Sequence, residues 1–168
     1  MDYFPEFCTA RVLILGVGNI LFGDDGFGPE VIAHLERNYA VPTDVCLMDV
    51  GTGVRKILFT LALSSTRPQE IVIVDAIDRN GTKGEVFELP LKDIPIEKMD
   101  DFSMHQAPTS NLLRELHDSG AKLIVLACDV GEVPKEIRTG LSTVAANAVS
   151  IMARQIADRY LFSRVSAV

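Results

Sequence analysis

Four stretches of this chain are apolar without alternation, and they restrict its fold more than any other feature: residues 11–15, 45–50, 71–74 and 123–127. A strand with one wet face alternates apolar and polar side chains. A run that does not alternate is covered on both faces, as in parallel sheets flanked by helices. The clearest run is Ile71-Val72-Ile73-Val74. Segments of helical period lie between these runs. Residues 28–39 place Val31, Ile32, Leu35 and Tyr39 on one face, with Pro29 suited to the first turn. Residues 54–63 do the same with Val54, Ile57, Leu58 and Leu61. Residues 109–118 form a third helix, capped by Thr109 or Ser110. A long last helix runs from 142 to about 162, its inward face read as Val144, Ala148, Met152 (or Ile151) and Ile156.

Strands separated by helices predict an α/β chain with a mainly parallel sheet. A further strand at 85–89 follows the turn signals Asn80-Gly81 and Gly84. The short link before it allows antiparallel pairing, so the expectation is a twisted, possibly mixed sheet of about five strands. Residues 90–104 contain two prolines and no period, and read as an irregular loop. Residues 1–9 read as a loosely attached lead-in.

With 168 residues, 48% of them hydrophobic, the chain suits one domain spanning 1–168. A net charge of −7 argues against nucleic acid and against an anionic membrane surface as partners. The apolar runs are strand-sized, too short to span a bilayer. The first residues lack the basic start and long apolar core of a secretory signal. The three cysteines, Cys8, Cys46 and Cys128, are scattered and form no C-x-x-C, so they read as small core residues in a reduced, cytoplasmic protein.

The first strand feeds a loop, Gly16-Val17-Gly18-Asn19-Ile20-Leu21-Phe22-Gly23-Asp24-Asp25-Gly26-Phe27-Gly28, that sets two adjacent carboxylates between glycines. Parallel strands share one carboxyl edge, where open α/β sheets bind their ligands. Just past the strand ends stand Asp24 and Asp25, Asp49, Asp75 and Asp78, and Asp129. His105 lies in the irregular 90–108 loop, flanked by Met104 and Gln106. Carboxylates plus an imidazole can hold a divalent transition metal with positions left open. Taken singly, an aspartate after a strand is as often the cap of the next helix, and a lone loop histidine is usually solvated. His34 and His117 fall on helices and read as surface or packing residues. The convergence of several acids carries the metal reading.

Other chemistries lack their motifs: there is no H-E-x-x-H, no G-x-S-x-G and no Walker loop. The Gly16-x-Gly18 pair suggests a dinucleotide site, but Leu21 occupies the third glycine position, and Asp24 and Asp25 would repel a pyrophosphate.

The loop from Gly16 to Gly28 resembles the opening signature of the [NiFe]-hydrogenase maturation endopeptidases. Asp49-Val50-Gly51-Thr52, Val74-Asp75-Ala76 and Ser103-Met104-His105-Gln106 are similar to that family's later blocks, in the same order. The likeness covers essentially residues 11–160. It implies a three-layer α/β/α sandwich and an endopeptidase that removes the C-terminal extension of a hydrogenase large-subunit precursor once nickel is inserted. On this resemblance Asp25, Asp75 and His105 contact the nickel, which arrives in the substrate, and no organic cofactor is needed. Asp49 matches an acidic position, though Val50 stands where the family has a glycine. Asp49 or a metal-bound carboxylate would take the proton of an attacking water. The blocks around Asp49 and His105 look most like the branch serving the coenzyme F420-reducing hydrogenase. Two other readings stay open: a metal-binding chaperone without peptidase activity, and a nucleotide-binding oxidoreductase. Phe22, Phe27 and the 90–104 loop are candidates for a partner surface, the two phenylalanines equally for the core.

Overall fold

The computed structural model describes residues 5–90 and 109–165. Its elements are α1 (Glu6–Thr9), β1 (Val12–Val17), a single 3-10 turn (Gly23–Gly26), α2 (Phe27–Asn38), β2 (Tyr39–Ala40), β3 (Val45–Gly51) and α3 (Val54–Leu63). They continue with β4 (Glu70–Ile77), β5 (Val86–Leu89), α4 (Thr109–Asp118), β6 (Lys122–Asp129), α5 (Thr143–Tyr160) and β7 (Ser163–Arg164). Five strands make one sheet in the order β3-β1-β4-β6-β5. β1 pairs in parallel with β3 and β4, β4 pairs in parallel with β6, and β5 pairs antiparallel with β6. The expected α/β class, with a mainly parallel but mixed sheet, is the one adopted. β5 does not lie beside β4, the strand before it in sequence. Both sides of β4 are taken by β1 and β6, so β5 is left with the free side of β6.

Unalternated strands build two cores because successive side chains still point to opposite faces. Val12, Ile14, Val72, Val74, Ile124 and Leu126 face α2 and α5. Leu13, Leu15, Ile71, Ile73, Leu123 and Val125 join Val54, Leu58 and Leu61 of α3 and Leu113 and Leu116 of α4. This gives three layers, each face of the sheet covered.

Two expectations are corrected at the periphery of these cores. Of the lead-in, residues 5–9 are described, and α1 is docked: Cys8 has 0% exposure and belongs to the α3–α4 core. On α5 the inward face is as read at Ala148, Met152 and Ile156, but not at Val144 or the alternative Ile151. Val144 and Ile151 are about half exposed, while Ala145, Ala148, Val149, Met152, Ala153 and Ile156 are buried. Hydrophobicity favours Val144, but a buried face built largely on alanine lets the helix lie close, and small residues win there. Ser142 sets this phase as the N-cap, its hydroxyl accepting from the Ala145 amide. Two-residue strands β2 and β7, unforeseen in sequence, join the end of α2 to the end of α5.

Candidate active site

The carboxyl edge of the sheet is shaped first by glycine. A methyl on Gly28 would lie 2.3 Å from the Val17 carbonyl oxygen and 2.4 Å from that of Val74. A methyl on Gly16 would lie 2.6 Å from the Gly28 oxygen. The first turn of α2 therefore sits directly on the ends of β1 and β4, and brings the Gly23–Gly26 turn with it. Gly18, at φ +140°, leaves room for the Asp25 carbonyl, which a methyl there would meet at 1.8 Å. These are close approaches of backbone to backbone, which only glycine permits.

Asp25 and Asp75 are brought together at this edge. Asp75 sits in β4, level with Ala127 of β6, and is 7% exposed. Its carboxylate accepts from the Ala76 amide at 2.8 Å. Burial holds its pKa well above the ordinary carboxylate range, and the Asp25 charge pushes it the same way. Asp25 is partly buried, and its Oδ2 accepts from the Asn19 amide at 2.7 Å. Burial raises its pKa too, against the lowering effect of that hydrogen bond. Two acids pushed toward their neutral forms by burial at one strand exit, with the charge of Asp25 also opposing the ionisation of Asp75, are an arrangement that a bound cation would relieve.

The other acidic exits separate into different tasks. Asp24 turns away from Asp75 to the start of α5, accepting from the Ser142 amide at 2.6 Å and the Ser142 hydroxyl at 2.7 Å. Asp129, 0% exposed, is structural. It accepts from the Gly81 amide at 2.8 Å and the Gly131 amide at 3.1 Å, and pairs with Arg79 at 3.7 Å. Arg79 also pairs with Glu85 at 2.7 Å and stacks on Phe87, so the loop after β4 is pinned to β5 and β6. Asp129→Ala would strand the Gly81 and Gly131 amides and leave Arg79 with Glu85 alone, and is expected to cost about 3 kcal/mol in urea unfolding. Asp129→Asn, able to keep one acceptor, should lose less. Asp78 accepts from the Asn80 amide at 3.1 Å within that same loop.

Asp49 is exposed on β3, level with Gly16, its carboxylate accepting from the Gly51 amide at 2.9 Å. β1 separates β3 from β4, so two strand spacings, roughly 10 Å, lie between the Asp49 and Asp75 backbones. His105 lies outside the described residues. Among the described residues no three His, Cys, Asp or Glu side chains form a group able to hold a metal.

The loop's apolar residues also divide. Phe27 is fully buried and belongs to the core, and Phe22 is half-buried. Ile20 and Leu21 are exposed, and with Gly23, Gly26, Leu141 and Ala146 the former lines a groove between the loop and the start of α5. Ser142 and Arg138, which hold the loop from across the chain, went unnoticed in the sequence. The only signal was a serine three residues before Ala145 at the start of a helical period. His34 sits on α2, where burial lowers its pKa, and His117 is exposed on α4. Cys8 and Cys128 are buried and Cys46 is partly so. Among the described residues no helix is long and apolar enough to cross a membrane.

Comparison with known proteins adds the following. The model of the HycI family, described as hydrogenase maturation protease, matches residues 29–159. A Methanocaldococcus jannaschii protein named as a hydrogenase maturation protease is 36% identical over 139 residues, 82% of this chain and 88% of that protein. The coenzyme F420 hydrogenase subunit delta of Methanothermobacter thermautotrophicus is 31% identical over 153 residues, 89% of this chain and 94% of that protein. The crystal structure of the [NiFe] hydrogenase maturation protease HycI from Thermococcus kodakarensis superposes with a TM-score of 0.66. It is 25% identical, covering 89% of this chain and 91% of the other.

Proposed function

This chain belongs to the hydrogenase maturation protease family, and from that premise we propose that it cleaves the C-terminal extension from the large-subunit precursor of a [NiFe] hydrogenase. The observation that carries the reading is the Asp25–Asp75 pair, two carboxylates kept reluctant to ionise at the carboxyl edge of the sheet. The nickel already inserted in the precursor is the cation that such a pair would receive. Precursor without nickel would lack this anchor, which makes cleavage a checkpoint on metal insertion.

In this reading Asp25 and Asp75 bind the substrate's nickel as hard oxygen donors, and His105 completes the set from the 90–108 stretch. The ion, as part of the substrate, supplies Lewis-acid polarisation at the bond to be cut. The protein's part is to hold the two carboxylates on a rigid strand and a tethered turn. It also provides a proton acceptor for water, either Asp49 facing the substrate from β3 or one of the paired acids. No Ser or Cys needs to act as nucleophile. The likeness to an F420 hydrogenase subunit supports the methanogen F420-reducing enzyme as the hydrogenase served. In this reading the reaction is cytoplasmic, which the free Cys8, Cys46 and Cys128 support.

Incubating the purified protein with nickel-loaded and nickel-free precursor, followed by intact mass measurement, tests this directly. Loss of the extension from the loaded form alone is the expected result. An intact loaded precursor would instead favour a chaperone on the same scaffold. His105→Ala is expected to abolish processing with the melting temperature unchanged, whereas full activity in that variant would discard the ligand assignment.

A further inference from the structure

We propose that Asp24 and Ser142 are positioning residues: together they form a tether that fixes the turn carrying Asp25 against the start of α5, so that Asp25 stands ready beside Asp75. The proposal rests on the reading of Asp25 as the substrate's anchor. Two adjacent aspartates of the same chemistry thereby take separate roles, one binding and one holding.

The geometry behind this is specific. Both carboxylate oxygens of Asp24 are occupied, Oδ1 by the Ser142 amide and Oδ2 by the Ser142 hydroxyl. A carboxylate that accepts two hydrogen bonds from one residue is fixed in rotamer and direction. Ser142 is itself immobilised, because its hydroxyl oxygen caps α5 through the Ala145 amide. The same turn is held a second time from this region. The Gly23 amide donates to the Arg138 carbonyl at 2.6 Å, and the Arg138 amide donates to the Leu21 carbonyl at 2.8 Å. Phe22 and Arg138 form an isolated bridge.

Asp25, by contrast, is hydrogen-bonded among the described residues within its own loop: its side chain to the Asn19 amide, its amide to the Phe22 carbonyl. Among those residues its carboxylate makes no hydrogen bond beyond that loop. The position of Asp25 relative to Asp75, which rides on the rigid β4, is therefore set by whatever anchors the turn as a whole. On one side that is the seat of Gly18 and Gly28 on the strands. On the other it is the 138–142 connection. An anchoring group displaced by about 1 Å can cost roughly a hundredfold in rate, so a tether of this kind matters to catalysis without touching the substrate.

The test compares Asp24→Ala, Asp24→Asn and Ser142→Ala by amide hydrogen exchange and by processing kinetics on nickel-loaded precursor. Asp24→Ala is expected to speed exchange at the Asn19, Gly23 and Asp25 amides about tenfold, with β1 and β4 amides unchanged, and to lower kcat/KM at least tenfold. Asp24→Asn should recover to within threefold of the wild type. Its carboxamide oxygen can accept from the Ser142 amide while its NH2 donates to the hydroxyl. Ser142→Ala, which keeps the amide bond and loses the hydroxyl, should fall between them, and it serves if Asp24→Ala fails to fold. Unchanged exchange at those three amides in Asp24→Ala or Ser142→Ala overturns the tether. Equal losses in Asp24→Asn and Asp24→Ala also overturn it, since they would mean that the charge itself acts at the site. If the wild type leaves the precursor intact, the endopeptidase reading fails, and exchange, measured on the protein alone, still decides the tether.

Discussion

Asp75→Asn is expected to reduce processing of nickel-loaded precursor by roughly a thousandfold and, at pH 7, to raise the melting temperature by several degrees. The two effects have one origin. Asp75 is 7% exposed, and its ionised form is opposed first by burial and then by the charge of Asp25. A carboxyl whose pKa is higher in the folded chain than in the unfolded one binds its proton more tightly when folded. Its contribution is most favourable below the unfolded value, near 3.9, and is lost as pH rises through the raised folded value. The wild type therefore carries the penalty increasingly as pH rises through that raised value. Asparagine keeps the shape and the acceptor for the Ala76 amide while removing the charge. The variant's advantage should shrink as pH is lowered through the raised folded value and vanish well below about 3.9, where the wild-type group is protonated in both states. For a chain of this size each kcal/mol moves the midpoint by about 2–4 °C. The loss of activity follows from removing an anionic oxygen from the nickel anchor: about 4 kcal/mol of transition-state stabilisation corresponds to roughly a thousandfold in rate. Calorimetry across pH and a precursor-cleavage assay check the two halves separately. A variant that is less stable than wild type at pH 7, or that cleaves at the wild-type rate, would contradict this account of the site.

Gly28→Ala is expected to be severely destabilising. The added carbon would face the Val17 and Val74 carbonyl oxygens and the Val17 nitrogen, all within 2.6 Å. These atoms belong to the central strands β1 and β4, which cannot withdraw without breaking ladder hydrogen bonds. The helix must lift instead, carrying Phe27, Val31 and Ile32 out of the core and Asp25 away from Asp75. A cost of about 4 kcal/mol or more is expected, at the upper end for overpacked sites. Gly53→Ala makes the matching control: its backbone lies at φ −92° and its new methyl would meet only the Val50 oxygen, at 3.1 Å. Its midpoint in urea should stay within about 1 kcal/mol of wild type. Comparable unfolding curves for the two variants would mean that α2 is not seated as described.

The parts of this architecture that were readable from residues alone are those set by local chemistry. Unalternated valine, isoleucine and leucine announced strands covered on both faces, and the parallel sheet then placed Asp25 and Asp75 on one edge. The division between Asp24 and Asp25 was not readable, because neighbours of identical type are distinguished only by Ser142, 118 residues away. Asp129 looked like a site residue for the same reason. Its partners Arg79 and Gly81 belong to a loop that folding brings up against β6. On α5 the pattern favoured Val144 over Ala145, since a hydrophobicity pattern cannot see that the buried face is built on small side chains. The neighbour of β5 depended on which flanks of β4 were already filled, a property of the whole sheet.

The antiparallel addition of β5 has a consequence beyond the site. A parallel sheet ending at β6 would present a long apolar rim of open amides and carbonyls to any other chain. Among the described residues the sheet ends instead in a four-residue strand with Glu88 exposed and bound to Arg159, and Pro90 immediately after it. Short length, an outward charge and a residue without an amide hydrogen each discourage a foreign strand from docking. The molecule is thereby guarded against self-templated aggregation on the flank where its most hydrophobic strands would otherwise be open.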